Sequence, residues 1–342
     1  MQRCLQLARC GLGSTSPNPM VGAVIVSGGR IIGEGYHIRA GEPHAEVNAV
    51  NSIKDADRPL LSDSTIYVSL EPCSHYGKTP PCCDLIIARG IPRVVIATTD
   101  SNAQVNGAGI ERMRAAGISV TVGLLKDESI RLNGAFFTSH GQNRPLVILK
   151  WAQSADGYID KCRDGGCALS VSTPVSRVAV HKLRSCCDAI LVGTRTALLD
   201  DPALDVRYWA GRAPVRLVLD REGKLPRSLR LFDSSCRTIV YTACEQSLGC
   251  GKNIEQKVLD FGQDVVPQIL SHLHSLKLGS LLVEGGSTLL QSFVDSSLWD
   301  IARVEVNPAL VVGDGVSAPQ LPAGIVPVET TCGGNLLLHY RK

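Results

Sequence analysis

The chain has 342 residues, of which 44% are hydrophobic and 20% charged, and this length and composition predict a globular protein of two domains. Its net charge of +3 comes without a basic block, which argues against a general nucleic-acid or anionic-membrane surface. No apolar run approaches the roughly 20 residues that cross a bilayer, and Arg3 and Arg9 interrupt the first segment, so we expect a cytoplasmic protein with reduced thiols, no membrane span and no secretory signal.

The first part of the chain alternates short apolar strands with helices. A predicted helix over 1–10 begins abruptly, which leaves open an upstream start or a frayed first turn. The other predicted elements are a β-hairpin over 21–26 and 31–36, helices over 44–53, 80–90 and 110–117, and strands over 64–73, 93–99 and 119–123. This alternation indicates a layered α/β domain, to which we assign residues 1–141.

A polar segment closed by a proline, at 139–145, predicts the linker to a second α/β domain, residues 142–342. Its predicted strands are 146–152, 188–193, 215–220, 237–242 and 280–286, and its predicted helices are 176–184 and 289–293. The two halves share no motif, so we expect two different domains rather than an internal repeat.

Three cysteines lie in the turn-rich segment EPCSHYGKTPPCC, for which a disulfide, a metal site and core packing are the three interpretations. A disulfide is disfavoured because the expected compartment is reducing. Upstream, His44 and Glu46 form an H-x-E pair at the head of a predicted helix. His44, Cys73 and either Cys82 or Cys83 would supply one imidazole and two thiolates, the protein share of a catalytic zinc site with an open fourth position. Glu46 would transfer protons between a zinc-activated water and a leaving amine.

The order H-x-E followed by P-C and a further cysteine is the signature of zinc nucleobase deaminases. With the stretches SPNPMVGAVIV and GEGYH, residues 1–125 resemble the deaminase domain of the RibD family of bifunctional riboflavin biosynthesis proteins. The resemblance implies a cytidine-deaminase-like three-layer α/β/α fold, with Cys73 and Cys82 as zinc ligands and Cys83 as a neighbouring core thiol. Ser101 replaces the proline that is usual in the family, which we expect to loosen that turn. The implied substrate contacts are Asn18, His37, Lys78, Asp100 and Asn102.

From residue 146 onward the chain resembles the reductase domain of the same family, through LKWAQSADGYID, DDPALDVR and VEGGSTL among other stretches. The resemblance implies a dihydrofolate-reductase-like α/β fold that binds NADPH. The two glycines of VEGGS, between a strand and a helix, are compatible with a phosphate at the helix N-terminus, whereas the missing GxGxxG argues against a Rossmann domain. Ser170 stands where some relatives place a tryptophan against the cofactor. The implied NADPH contacts are Ala152, Thr196, Asp200, Arg221, Gly286, Ser287 and Thr288.

The same resemblance implies a second set of contacts, to a ribosyl phosphate substrate. Arginines suit such a ligand because the planar guanidinium group can bond two phosphate oxygens at once. Lys150 is a further candidate, close to the sugar carbon that accepts hydride, with a solvated lysine at a strand end as the alternative. The implied substrate contacts are Arg184, Leu204, Arg207 and Glu284.

Together the two resemblances imply a two-step enzyme. Zinc-dependent hydrolytic deamination of 2,5-diamino-6-ribosylamino-4(3H)-pyrimidinone 5′-phosphate would precede NADPH-dependent reduction of the ribosyl group, which gives 5-amino-6-ribitylamino-uracil 5′-phosphate. Two alternatives stay open: a nucleic-acid deaminase of the tRNA type with an appended binding domain, and a zinc-stabilised scaffold without activity. The absence of a basic stripe argues against the first, and the intact His44, Glu46 and cysteine set against the second. The resemblance also implies a homo-oligomer, either a dimer or a tetramer.

Overall fold

In the computed structural model the chain forms two compact units, Met1–Asn143 and Arg144–Lys342. The structure describes residues 1–76, 80–101, 106–163, 166–245 and 253–342. Lys78 and Asn102, two of the expected substrate contacts, lie outside these ranges. Within them, no helix combines the length and apolar character that a bilayer crossing requires.

The first unit is a five-stranded sheet with helices on both faces. Its strands are β1 Gly22–Ser27, β2 Arg30–Tyr36, β3 Thr65–Val68, β4 Arg93–Ile96 and β5 Ser119–Val122, in the spatial order β2-β1-β3-β4-β5. Strand β1 pairs antiparallel with β2 and β3, whereas β3, β4 and β5 are parallel. Its helices are α1 Gln2–Arg9, α2 Ala45–Asn51, α3 Cys82–Ala88, α4 Ala108–Ala115, α5 Lys126–Leu132 and α6 Gly134–Gln142, with a 3₁₀ helix at Asp55–Asp63.

Side chains that alternate along the strands cover both faces of this sheet. On one face, Ile25 and Ile66 pack in a core cluster with Val50 of α2, Ile86 of α3 and Met113 of α4. On the opposite face, the apolar side of α1 packs on β1. The predicted three-layer α/β/α arrangement is therefore confirmed.

Two element boundaries in this unit differ from the sequence-based prediction. The strand expected over 64–73 ends at Val68, because the following residues leave the sheet and form the loop that carries Cys73. The segment expected to be a linker, 139–145, is helical as far as Gln142, and the helix ends where Asn143 adopts a left-handed conformation with φ 53°. Polar residues suit an exposed helix as well as a linker, so composition alone places this boundary poorly.

The second unit contains a nine-stranded mixed sheet in the order β11-β10-β9-β8-β12-β6-β13-β16-β15, and a small pair, β7 with β14. The seven strands from β11 to β13 in this order are parallel, and β16 pairs antiparallel with β13 and β15. The strands are β6 Leu146–Ser154, β7 Tyr158–Asp160, β8 Ala189–Val192, β9 Val215–Leu219, β10 Thr238–Thr242, β11 Ile254–Val258, β12 Ser280–Gly285, β13 Ile301–Asn307, β14 Val316–Ser317, β15 Val328–Cys332 and β16 Asn335–Arg341.

Helices cover both faces of the large sheet, as the predicted α/β fold requires. Residues of α9 and α10, such as Leu270 and Phe293, pack on the face formed by Leu149 and its neighbours. The other face packs against α7 and α8 through Leu183 and Ala197. The helices are α7 Pro174–Ser185, α8 Thr194–Asp200, α9 Val265–Ser275 and α10 Ser287–Asp295, with a 3₁₀ helix at Arg230–Phe232.

Candidate functional site

Helix α2 carries the H-x-E pair, with His44 as its N-cap residue and Glu46 in its first turn. Strand β2 lies very close to this helix. A Cβ atom at Gly35 would stand 2.5 Å from the backbone nitrogen of Ala49, and one at Gly33 would stand 2.5 Å from its carbonyl oxygen. The glycines of GEGY therefore permit the helix to lie directly on the hairpin, which fixes where His44 and Glu46 enter the site.

The structure brings together His44, Cys73 and Cys82. Nδ1 of His44 lies 3.6 Å from Sγ of Cys73 and 3.4 Å from Sγ of Cys82, and the three ligand atoms all lie within 4.8 Å of one another. Cys83 belongs instead to the hydrophobic core, and all three thiols are free. One nitrogen and two sulfur donors suit zinc, and no fourth His, Cys, Asp or Glu joins the group among the described residues.

Hydrogen bonds within this group control its ionisation. The hydrogen bond with Cys82 lowers the pKa of Cys73 to about 4, against the effect of burial and with help from His44. The same hydrogen bond, together with burial, raises the pKa of Cys82. With one proton between them, Cys73 and Cys82 therefore carry a single negative charge. A divalent cation would replace that proton and would be bound by two thiolates. This donor set fits the zinc ion that the sequence implies.

Glu46 is the carboxyl group of this site. It is 3% exposed, and burial, followed by the negative charge of Cys73, raises its pKa to about 7. A carboxyl group with a pKa close to the working pH can both accept and donate a proton.

Asn18 and His37 form a hydrogen-bonded pair beside the metal ligands. Nδ1 of His37 lies 3.2 Å from the carbonyl oxygen of Pro43, which can only accept, so Nδ1 carries the proton. Nε2 of the neutral ring then accepts from the side-chain amide of Asn18 at 3.2 Å. The rings of His37 and His44 meet edge to face with centroids 5.3 Å apart. Two expected substrate contacts therefore lie at the metal group, in one defined tautomeric state.

Asp100 is 9% exposed, and its backbone N–H donates to a carboxylate oxygen of Glu71 at 3.2 Å. Sequence reasoning missed Glu71 as a functional candidate, although it precedes Cys73 by only two residues in the EPC motif. At Ser101, which replaces the usual proline of the family, the hydroxyl oxygen is buried and has no hydrogen-bond partner among the residues that the structure describes. No part of the structure explains this substitution.

The second unit contains a cavity of about 780 Å³ near the carboxyl ends of the parallel strands β8, β9 and β12. Ligands of open α/β sheets bind at such strand ends. Leu204 does not line this cavity and lies in the hydrophobic core at 2% exposure, while Arg221 packs on the ring of Phe261. The expected contacts that do line the cavity are Lys150, Ala152, Arg184, Thr196, Asp200, Arg207, Glu284, Gly286, Ser287 and Thr288.

The two glycines at the end of β12 bring backbone into this cavity. Gly286 is the N-cap residue of α10, and a Cβ atom there would stand 3.2 Å from Oγ1 of Thr196 in α8. Ser287 anchors the turn by donating to the carbonyl oxygen of Ser317 at 2.6 Å. Backbone N–H groups at a helix N-terminus suit the phosphates of a dinucleotide, so this part of the cavity fits NADPH.

An ion pair between Arg184 and Glu284 lies at the same cavity. Nε and Nη2 of Arg184 donate to the two carboxylate oxygens of Glu284 at 2.9 and 2.6 Å. Burial opposes ionisation of Glu284, but the charge and hydrogen bonds of Arg184 outweigh it and hold the pKa of this carboxyl below its usual value. The two bonds hold the guanidinium group of Arg184 in one orientation at the cavity wall.

Two cavity residues have roles that sequence reasoning missed. Arg163 donates to Asp160 at 2.6 Å and is ion-paired with Asp200, an expected cofactor contact. His181 accepts at Nδ1 from the backbone N–H of Arg207 at 3.2 Å. Both residues stand in or beside stretches that carried the resemblance, yet Asp200 lies 37 residues from Arg163 and Arg207 lies 26 residues from His181, so these pairings leave no local pattern.

Two family models match the two units of the chain. The cytidine and deoxycytidylate deaminase zinc-binding region matches residues 1–98, and the RibD C-terminal domain matches residues 145–327. Riboflavin biosynthesis protein RibD of Aquifex aeolicus is 40% identical over 334 residues, which cover 96% of this chain and 91% of that protein.

Two solved structures extend the similarity to the fold of the whole chain. A diaminohydroxyphosphoribosylaminopyrimidine deaminase/5-amino-6-(5-phosphoribosylamino)uracil reductase from Thermotoga maritima is 37% identical, with a TM-score of 0.90 over 100% of this chain and 97% of that one. Acinetobacter baumannii RibD is 30% identical, with a TM-score of 0.89 over 99% of this chain and 97% of that one. The chain belongs to the RibD family of riboflavin biosynthesis proteins.

Proposed function

We propose that this chain catalyses two consecutive reactions of riboflavin biosynthesis. Residues 1–141 hydrolyse the 2-amino group of 2,5-diamino-6-ribosylamino-4(3H)-pyrimidinone 5′-phosphate and release ammonia, and residues 142–342 reduce the ribosyl group of the product with NADPH. The observation that carries the proposal is the convergence of His44, Cys73 and Cys82 within 4.8 Å beside the buried Glu46. The family membership supports the same pair of activities.

In the deamination, His44, Cys73 and Cys82 hold the zinc ion. When bound, zinc lowers the pKa of a water molecule to about 7 and so supplies a nucleophile at neutral pH. Glu46 takes a proton from the attacking water and delivers one to the departing nitrogen, for which its raised pKa is suited. Asn18, His37 and Asp100 hold the pyrimidine and its ribosyl phosphate, together with Lys78 and Asn102, which lie outside the described residues.

In the reduction, the hydride chemistry belongs to NADPH, and the protein provides position and charge. Gly286, Ser287 and Thr288 hold the cofactor at the N-terminus of α10, with Ala152, Thr196 and Asp200 along the same cavity. Lys150, Arg184, Arg207 and Glu284 face the ribosyl phosphate substrate. We keep Arg221 and Leu204 as further contacts to the cofactor and the substrate, supported by the resemblance alone.

Product masses test both activities at once. Purified protein is incubated with the diaminopyrimidine phosphate, with and without NADPH. Deamination alone exchanges an amino group for an oxygen, and a mass gain of about 1 Da with one ammonia is expected. NADPH should add about 2 Da more, because a hydride and a proton enter the ribosyl group. Unchanged substrate in both reactions would overturn the proposal.

The nucleic-acid deaminase is not favoured, since the RibD C-terminal domain matches residues 145–327 and a riboflavin biosynthesis protein matches 96% of the chain. Ammonia release from tRNA or single-stranded RNA, in place of the pyrimidine phosphate, would reverse this preference. A homo-oligomer, dimer or tetramer, and a cytoplasmic location complete the proposal. Sedimentation of the purified chain checks the oligomeric state, and fractionation of the native cell checks the location.

A further inference from the structure

Glu71 is a buried carboxylate whose two oxygens accept four backbone hydrogen bonds from described residues. It is 4% exposed. Oε2 accepts from the N–H of Asp100 at 3.2 Å and of Gly107 at 3.0 Å. Oε1 accepts from the N–H of Gly109 at 3.1 Å and of Ile110 at 3.4 Å. All four donors are backbone N–H groups, so this buried side chain is an anchor for the backbone around it.

These four bonds differ in what they accomplish. Those from Gly109 and Ile110 satisfy N–H groups in the first turn of α4, as an ordinary helix cap would. Those from Asp100 and Gly107 have another effect, because a single oxygen joins two residues that are seven positions apart. Capping of α4 alone would not require the bond to Asp100.

Glu71 also belongs to the loop that carries a zinc ligand. It stands two residues before Cys73, and its own N–H donates to the carbonyl oxygen of Thr98 at 3.0 Å. Helix α4 lies so close to this loop that a Cβ atom at Gly109 would stand 2.4 Å from the carbonyl oxygen of Pro72. Further along, Arg112 of α4 donates to the carbonyl oxygen of Ser74 at 3.4 Å. The loop is therefore attached to α4 on both sides of Cys73.

We propose that Glu71 is a positioning residue of the deamination site, which fixes Asp100 relative to the zinc ligands. The proposal rests on the function proposed above, in which Asp100 contacts the substrate. Zinc itself holds Cys73 once bound, so loss of Glu71 should leave the metal in place and should displace Asp100. The consequence is weaker substrate binding rather than loss of the metal-dependent step.

Glu71→Gln tests this directly, because the amide has one acceptor oxygen and its nitrogen repels backbone N–H groups. We expect zinc to stay at one ion per chain, the KM for the diaminopyrimidine phosphate to rise about tenfold, and kcat to change much less. Ile91→Val is the matched control, since it removes one methyl group from a fully buried side chain in the hydrophobic core of the same unit. An unchanged KM in Glu71→Gln, or a loss of zinc, would overturn the proposal.

A double-mutant cycle separates positioning from general destabilisation. If Glu71 acts through Asp100, then Glu71→Gln should raise KM little further in an Asp100→Ala background. Effects that multiply fully would show that Glu71 acts elsewhere and would refute the proposal. Glu71→Asp, which keeps the charge with a shorter reach, should recover part of the loss in KM.

Amide hydrogen exchange gives a readout that does not depend on activity. In the wild-type protein, the amides of Gly107, Gly109 and Ile110 should be protected, whereas N–H groups without acceptors at a helix start exchange rapidly. Glu71→Gln should accelerate their exchange. Unprotected amides in the wild type would overturn the proposal even if no variant folds. Absence of ammonia release from the wild type would instead refute the proposed function and leave the exchange result to judge Glu71.

Discussion

Arg184 and Glu284 form a two-bonded ion pair at the second-unit cavity, with N–O distances of 2.9 and 2.6 Å and side chains that are only 12% and 10% exposed. Arg184 comes from α7 and Glu284 from β12, so the pair joins a helix to the sheet that it covers. Breaking a buried pair leaves an uncompensated charge, which costs far more than breaking a surface pair.

Glu284→Gln should therefore destabilise the second unit by about 3 kcal/mol at pH 7. All three tryptophans, at 151, 209 and 299, lie in this unit, so urea unfolding followed by tryptophan fluorescence reports on it alone. Glu255→Gln is the control, because it breaks the exposed pair with Arg237 on the same sheet and should cost less than about 1 kcal/mol. Equal losses in the two variants would contradict the prediction.

The contribution of Glu284 should also depend on pH. Because its folded-state pKa lies below the ordinary value of 4.5, its stabilisation is present above that pH and is lost as the pH falls through the folded-state pKa. The difference in unfolding free energy between wild type and Glu284→Gln should accordingly shrink between pH 7 and about pH 3. A difference that stays constant over this range would mean that the carboxylate charge contributes nothing.

The proposed zinc ligands can be distinguished from the neighbouring thiol by substitution. We expect Cys82→Ser to lower the zinc content of the purified protein well below one ion per chain, because the site then offers only two strong donors. Cys83→Ala should retain zinc and lose about 1 kcal/mol of stability, since Cys83 packs in the core. Elemental analysis of both variants gives the answer. Zinc loss in Cys83→Ala with retention in Cys82→Ser would reverse the assignment.

Glu46→Gln should keep zinc and lose ammonia release by a factor of about 100 to 10,000, because the amide cannot transfer the proton. NADPH oxidation on the deaminated substrate should remain at the wild-type rate, since that reaction belongs to the other unit. Absorbance at the nicotinamide band and an ammonia assay measure the two activities in one preparation. Retained ammonia release would remove Glu46 from the mechanism, whereas loss of both activities would indicate misfolding.

Much of the first site could be predicted from the sequence, because its chemistry depends on residue types in a short pattern. His44, Glu46, Cys73 and Cys82 stand in two motifs, and the choice between Cys82 and Cys83 needed only the resemblance. Glu71 could not be predicted in the same way. Its partners are backbone N–H groups, which every residue except proline has, so they leave no trace in the sequence.

The second unit was harder to predict for a related reason. Short apolar runs predicted the buried strands β8, β9 and β12, whereas β13 and β16, in which polar or charged residues accompany the apolar ones, were not predicted. Leu204 stays a prediction as a substrate contact, and its side chain lies in the core. Ion pairs such as that of Arg163 with Asp200 depend on how distant segments meet, which local sequence does not encode.

Arg207 offers the sharpest test of the substrate side of the cavity. Its side chain is 47% exposed and pairs with Asp205. Its backbone N–H donates to His181, which fixes the point from which the side chain extends. Arg207 lines the cavity, so its guanidinium group can reach a ligand there. Arg207→Met should raise the KM for the deaminated ribosyl phosphate about tenfold or more, because a charge-assisted contact to phosphate is lost, and should leave NADPH affinity unchanged.

Arg237→Met, which removes an exposed arginine paired with Glu255, should change neither constant. NADPH oxidation at varied substrate concentration and fluorescence titration of NADPH provide the two numbers. Weaker NADPH binding in Arg207→Met would move this arginine from the substrate side of the cavity to the cofactor side.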